Sequence, residues 1–134
     1  PAGYGRISRY AWGADYHEVI RAKLRRMGEN LREKYPDVNS RRAVDSAPIM
    51  ERDYAVLAGL GWIGKNTLLL HQQKGSWLFL GVLLVDTQLD DDEPTPTDHC
   101  GSCRRCLDAC PTQAFDAPYQ LDATRCISYL TIEH

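Results

Sequence analysis

Residues 99–111 read His-Cys-Gly-Ser-Cys-Arg-Arg-Cys-Leu-Asp-Ala-Cys-Pro, and their spacing decides how the rest of the chain is understood. Cys100, Cys103, Cys106 and Cys110, followed by Pro111, form C-x2-C-x2-C-x3-C-P, the run with which bacterial ferredoxins hold cubane iron-sulfur clusters. Thiolates spaced this closely reach the corners of one cubane only if the backbone curls tightly, and Gly101 and Ser102 are small enough to allow it. In two-cluster ferredoxins the fourth cysteine leaves the first cluster and ligates the other, so Cys110 predicts a pair of clusters. Zinc sites favour separated C-x2-C pairs or Cys/His pairs, and this packed run closed by proline fits the iron-sulfur pattern better. A pair of cubanes takes about eight ligands, whereas the chain has five cysteines. Cys126 reads either as a buried free thiol or as a second-cluster ligand, and the second reading supplies Cys110 with a partner. His99 reads as a neighbour that hydrogen-bonds cluster sulfur or faces solvent rather than as a ligand.

Outward from that run, composition sets bounds. The 134 residues fit one domain or two small ones, and 43% hydrophobic with 25% charged residues is ordinary for a globular protein. The longest apolar run, Trp77 to Val85, is far shorter than the roughly 20 residues of a membrane-spanning helix, so no membrane partner is expected. No export signal is visible at Pro1–Tyr10, and five cysteines, all between 100 and 126, argue against a secreted disulfide framework. Reduced thiols and a cytoplasmic location are expected. The chain starts without Met and ends at His134 in mid-pattern, which is expected of a piece of a longer protein. Basic residues (Arg21, Lys23, Arg25, Arg26, Arg32, Lys34, Arg41, Arg42) crowd the first third, and Asp90 to Glu93 are acidic. That basic stretch is either a solvated helix face or a surface for phosphates.

Val19, Ile20, Leu24, Met27 and Leu31 recur at helical steps from Tyr16 to Lys34, with Asp15 as N-cap and Pro36 as the stop. Arg41 to Val44 is a strand candidate that delivers Asp45 at its end, and Met50 to Ala58 a second helix closed by Gly59. Thr67 to His71 and Ser76 to Asp86 read as strands of a hairpin joined through Gln72 to Gly75. Asp90 to Thr97, with Pro94 and Pro96, reads as a linker. The expected class is α+β: an α/β body over residues 1–90, then, over 91–134, half of a ferredoxin-like two-cluster module whose other half lies beyond residue 134.

Gly59 to Thr67, Gly-Leu-Gly-Trp-Ile-Gly-Lys-Asn-Thr, contains G-x-G-x-x-G and nearly G-x4-G-K-[ST]. Both phosphate motifs need a strand before and a helix after, and here the order is reversed. The segment is therefore a structural turn or the lining of some other cofactor. Asp45, Glu51 and Asp53 are carboxylates with no His nearby in sequence, which gives hydrolysis little support. By itself Asp45 reads as a turn or cap residue, and Asp15-Tyr16-His17 either as a proton-donor cluster or, the more common meaning of such a triplet, as a helix cap followed by two ordinary surface residues.

Five stretches together resemble the epoxyqueuosine reductases, iron-sulfur and cobalamin enzymes of queuosine biosynthesis: Arg9 to His17 (RYAWGADYH against a family form RYALGRDYH), Val44 to Pro48, Ala58 to Thr67, the cysteine run, and Arg125 to Glu133. The resemblance implies reduction of the epoxide of epoxyqueuosine in a tRNA anticodon loop to the alkene of queuosine. It implies that Asp45 is the catalytic acid, a pocketed carboxyl of raised pKa, and that the body over 1–90 is a partial cobalamin and substrate domain. Cys100, Cys103 and Cys106 would serve the first 4Fe-4S cluster, and Cys110 and Cys126 the second. Tyr10, Asn66 and Ser128 would approach cobalamin. Partners implied are tRNA and an electron donor such as flavodoxin or ferredoxin. Ala14 stands where the family usually has Arg, and the family's further N-terminal sequence and second cysteine run are not in this chain, so these residues alone are expected to be inactive. A ferredoxin-like electron-transfer module and a dehalogenase-like corrinoid reductase acting on a small molecule are the alternative readings.

Overall fold

The computed structural model describes residues 3–5, 7–94 and 98–132. The chain folds as two compact units that exchange the backbone more than once: residues 1–51 with 79–90, and residues 52–78 with 91–134. The crossing at 90/91 falls where the acidic, proline-containing stretch begins. The crossings at 51/52 and 78/79 differ from a single cut, because 52–78 groups with the cysteine-bearing segment.

In the first unit a 3-10 turn (Arg9–Ala11) precedes helix α1 (Tyr16–Lys34). Asp15 caps α1 as its spacing predicts, its carboxylate accepting from His17 N at 2.9 Å. Strand β1 (Ser40–Ala43) pairs antiparallel with β4 (Val82–Val85), register Ser40 to Val85 through Ala43 to Val82. Leu24, Val38, Ala43 and Val44 form its buried core. Glycine sets the approach of helix to strand: a Cβ on Gly81 would stand 2.5 Å from Ile20 Cγ2, so any other residue there would push α1 away. Asp86 locks the open end of the ladder by accepting from Asn39 N at 2.8 Å and Asn39 Nδ2 at 2.7 Å, and those bonds hold its carboxyl below the usual range.

The second unit takes nearly all of helix α2 (Glu51–Leu57), then the short antiparallel pair β2 (Trp62–Ile63) and β3 (Leu69–Leu70). Beyond residue 97 come the single-turn helix α3 (Arg105–Asp108), the hairpin β5 (Phe115–Ala117) and β6 (Gln120–Leu121), a 3-10 turn (Ala123–Arg125) and α4 (Ile127–Ile132). Ala55, Leu69 and Ala114 are its buried apolar residues.

The hairpin expected over 67–86 does not form. The chain does reverse at Gln72–Gly75, where His71 and Gly75 exchange backbone bonds of 2.9 and 2.8 Å, but the ladder stops at that bridge. β3 turns back onto β2, and β4 pairs with β1. An apolar, β-branched stretch such as Val82–Val85 specifies a strand with a face to bury, not which strand lies beside it. Every strand pair is antiparallel and two-stranded among the described residues, so the α+β class holds while the body is not a layered parallel sheet.

Candidate active site and cluster-binding loop

Buried Val44 at the end of β1 leads into exposed Asp45, whose φ of 54° is left-handed, a conformation aspartate tolerates better than most residues. That bend turns the carboxylate onto the first turn of α1. The Tyr16 hydroxyl donates to Asp45 Oδ2, His17 Nε2 lies 3.3 Å from the same oxygen, and His17 Nδ1 lies 2.8 Å from Asp15 Oδ1. The imidazole thus bridges a helix-capping carboxylate and Asp45. The Tyr16 ring is wedged between His17 (centroids 4.0 Å, interplanar 28°) and Phe79 (4.5 Å, 9°), with Tyr10 edge-on at 6.1 Å. The sequence favours a surface reading of Tyr16 and His17 over a proton-donor cluster and does not connect them to Asp45, yet both are half-buried and both engage it.

The electrostatics correct the expectation for Asp45. Its side chain is 63% exposed rather than pocketed, and the Tyr16 hydroxyl first, opposed by burial and then helped by His17, holds its carboxyl below the ordinary range. Tyr16 is pushed up to about 12, chiefly because its hydroxyl donates to Asp45. In this arrangement Asp45 is ionised and the tyrosine keeps its proton. Beside it, an open groove of about 570 Å³ runs along α1, with Arg9, Tyr10, Lys23 and Phe79 on its walls. Tyr16 belongs to both groove and carboxylate network.

In the second unit the cysteine loop is built from local bonds. Cys100 N donates to Asp98 Oδ1 at 2.7 Å, Cys103 N closes a turn on Cys100 O at 2.8 Å, and Gly101 between them takes a φ of 43°. Cys106 rides on α3. Cys110 Sγ accepts from Ala114 N at 3.3 Å and lies 3.7 Å from Thr112 Oγ1, and these contacts, the amide first, lower its thiol pKa. Cys126, just ahead of α4, follows a brace in which Arg125 binds Asp122 at 2.8 Å and also Asp116, while Asp122 N returns to Ala114 O at 2.8 Å. Ala114 therefore ties the segments of Cys110 and Cys126 into one knot.

Among the described residues no three His, Cys, Asp or Glu side chains stand together as a finished metal cage. The donor chemistry nonetheless fits iron-sulfur ligation: all five thiols are free, none is buried, and Cys110 carries an N–H···S bond of the kind that tunes clusters. His99 packs edge-on against Trp62, centroids 4.6 Å apart.

The glycine-rich stretch follows α2, contains β2 and turns at residues 64–67 into β3, so a helix precedes it and a strand follows it, as the reversed order predicts. A Cβ on Gly61 (φ 156°) would meet Leu70 O at 2.1 Å, so glycine is required for β2 to meet β3. Asn66 Oδ1 accepts from Leu68 N at 3.2 Å within the turn. Lys65 Nζ, which a phosphate loop would aim at an anion, instead donates to Gly101 O at 2.5 Å and Cys103 O at 3.1 Å. Ser128 is exposed on α4, and Tyr10 is 54% exposed at the groove.

Comparison with known proteins bears on both units. Residues 1–46 match the family model "Epoxyqueuosine reductase QueG, DUF1730", and residues 99–134 match "4Fe-4S double cluster binding domain". An epoxyqueuosine reductase of Pseudomonas aeruginosa is 53% identical over 96% of this chain. The chain belongs to the epoxyqueuosine reductase family. It spans 36% of the Pseudomonas relative and 45% of one from Synechocystis that is 50% identical over 98% of this chain. Among solved structures, an epoxyqueuosine reductase in complex with a tRNA-Tyr epoxyqueuosine-modified stem loop superposes with a TM-score of 0.88 at 40% identity, over 95% of this chain and 33% of that one. The Bacillus subtilis epoxyqueuosine reductase, described with its catalytic aspartate loop swung out of the active site, gives 0.86 at 38% identity over 95% and 33%. No helix among the described residues is long and apolar enough to cross a membrane.

Proposed function

We infer that this chain is the acid-bearing and cluster-bearing part of an enzyme that reduces the epoxide of epoxyqueuosine, in a tRNA anticodon loop, to the alkene of queuosine. The observation that carries the reading is the likeness of nearly the whole chain to epoxyqueuosine reductases, one of them solved with an epoxyqueuosine-modified stem loop. A mere electron carrier would need only the cysteine segment, whereas the match includes residues 1–46.

Opening an epoxide to an alkene consumes electrons and protons in equal number and releases water, so the protein must deliver a proton to an oxygen that is otherwise a poor leaving group. Asp45 is the proposed donor. As it stands the carboxyl is ionised, and loading it is the role we assign to His17, which reaches Asp45 on one ring nitrogen and Asp15 on the other; imidazole is the usual shuttle near neutral pH. Tyr16 holds Asp45 in place by its hydroxyl and by its stack on Phe79. Bound substrate would cover the exposed carboxyl, and desolvation would raise its pKa toward that of a working acid.

Cobalamin, when bound, supplies the low-valent cobalt that reduces the epoxide. Tyr10 on the groove, the NH2 of Asn66 left over from its turn, and the exposed Ser128 hydroxyl are the contacts proposed for it, with residues 1–90 as its partial domain and 91–134 as the cluster part. Cys100, Cys103 and Cys106 would hold the first 4Fe-4S cluster, and Cys110 and Cys126 would contribute to the second, fed by a flavodoxin or ferredoxin in the cytoplasm. Basic residues along α1 offer charge to tRNA phosphate. Deleting the gene and analysing tRNA nucleosides by mass spectrometry tests the reading: epoxyqueuosine should accumulate, and normal queuosine levels would refute it.

A further inference from the structure

The residue that the functional reading leaves unexplained is Lys65. It sits in the second unit, in a turn fixed by Gly64 N to Leu68 O at 2.9 Å and Thr67 N to Gly64 O at 2.8 Å, far in sequence from any cysteine. Yet its ammonium donates to the carbonyls of Gly101 and Cys103, inside the stretch that bears the first two thiols. The connection is reciprocal. Lys65 O accepts from Tyr119 N at 3.0 Å, the Tyr119 hydroxyl donates to Asp98 Oδ2, and Asp98 Oδ1 accepts from Cys100 N at 2.7 Å. Both ends of the Cys100–Cys103 turn are thereby tied to one lysine.

We propose that Lys65 is a positioning residue for the first cluster: it fixes the curl of the Cys100–Cys103 turn and places a positive charge beside it that favours the reduced cluster. This rests on the cluster reading above. A cluster gains negative charge on reduction, its potential follows net charge and hydrogen bonding around it, and a cation bonded to the carbonyl of a ligand residue lies within Coulombic reach of the sulfur. Arg104, a cation of the same loop, is less committed: it faces Asp108 at 3.5 Å, both well exposed.

The test uses the cluster-loaded protein, with the signal of the first cluster identified as the one lost in Cys100→Ala. Lys65→Gln removes the charge and keeps a donor, Lys65→Met removes both, and Lys65→Arg keeps both. Potentiometric titration followed by EPR should show the cluster in Lys65→Gln and Lys65→Met reduced about tenfold less at a fixed potential, about 59 mV for a one-electron couple, and Lys65→Arg close to wild type. Loss of iron from Lys65→Met but not from Lys65→Arg also supports the assignment. Unchanged potentials in Lys65→Gln and Lys65→Met with full iron overturn it, as does equal iron loss in all three variants. A wild-type protein that takes up no iron overturns the cluster reading, and this one with it.

Discussion

Asp45 is held by neighbours that oppose its proposed task, and this makes its chemistry measurable. Tyr16 and His17 stabilise the carboxylate, so Tyr16→Phe should raise the Asp45 pKa toward the ordinary carboxyl value, as read by NMR titration of the side chain; an unmoved value would mean that the hydroxyl is not what lowers it. The pair also has a pH signature. The lowered carboxyl contributes stability above its unfolded pKa that is lost as pH falls through the lower folded value, and the raised phenol contributes stability below its unfolded pKa of about 10 that is lost as pH rises through about 12. Tyr16 and Tyr119, whose hydroxyl donates to Asp98, are both pushed up to about 12, so ultraviolet titration should show one fewer late-ionising tyrosine in Asp45→Asn than in wild type. Made in the full-length protein, the same Asp45→Asn change should cut epoxide reduction by roughly 10²–10⁴-fold, the usual worth of a general acid, with the fold unchanged, and turnover like wild type would remove Asp45 from the mechanism. Of this site the sequence displays Asp45, through its resemblance and its place at a strand end, and the Asp15 cap, through its spacing. It does not display that Tyr16 and His17 engage Asp45, because 28 or 29 residues separate them from it and only the return of β1 along α1 brings them near.

Among the elements, those whose signals are local are where the pattern puts them. The periodic apolar positions and Asp15 define α1, and around the glycines a helix precedes and a strand follows, as the sequence predicts. Pairing is different, because nothing in Leu69–Leu70 or Val82–Val85 names its partner. β3 meets β2 because Gly61 lets the backbones touch, and β4 meets β1 where Gly81 admits α1 and Asp86 clasps Asn39. Gly81→Ala should therefore destabilise the first unit by about 1–3 kcal/mol, the range for overpacking, measured by chemical denaturation. Gly75→Ala meets no neighbouring atom and is the control for added bulk, its cost limited to the strain of its left-handed φ of 58°.

For the whole molecule, the buried core is small. Leu24, Val38, Ala43 and Val44 in one unit and Ala55, Leu69 and Ala114 in the other are all the apolar side chains it buries among the described residues, while Trp12, Met50, Tyr54, Leu57 and Trp77 stand largely exposed. A core of that size gives little margin against conformational entropy. Together with five cysteines where a pair of cubanes takes about eight ligands, this predicts that the 134 residues expressed alone unfold with weak cooperativity and, on anaerobic reconstitution, bind well under eight iron atoms. About eight iron per chain would refute that count of ligands.

The crossing of the backbone at residues 51/52 and 78/79 carries a lesson for protein engineering. A cysteine-rich tail following an acidic, proline-containing stretch invites treatment as a detachable cassette to be moved between redox enzymes. Here Trp62 and Lys65, which touch His99, Gly101 and Cys103, would remain with the donor. A chimaera cut at residue 90 would inherit the thiols without their scaffold, and the smallest transplantable piece is discontinuous, 52–78 together with 91–134.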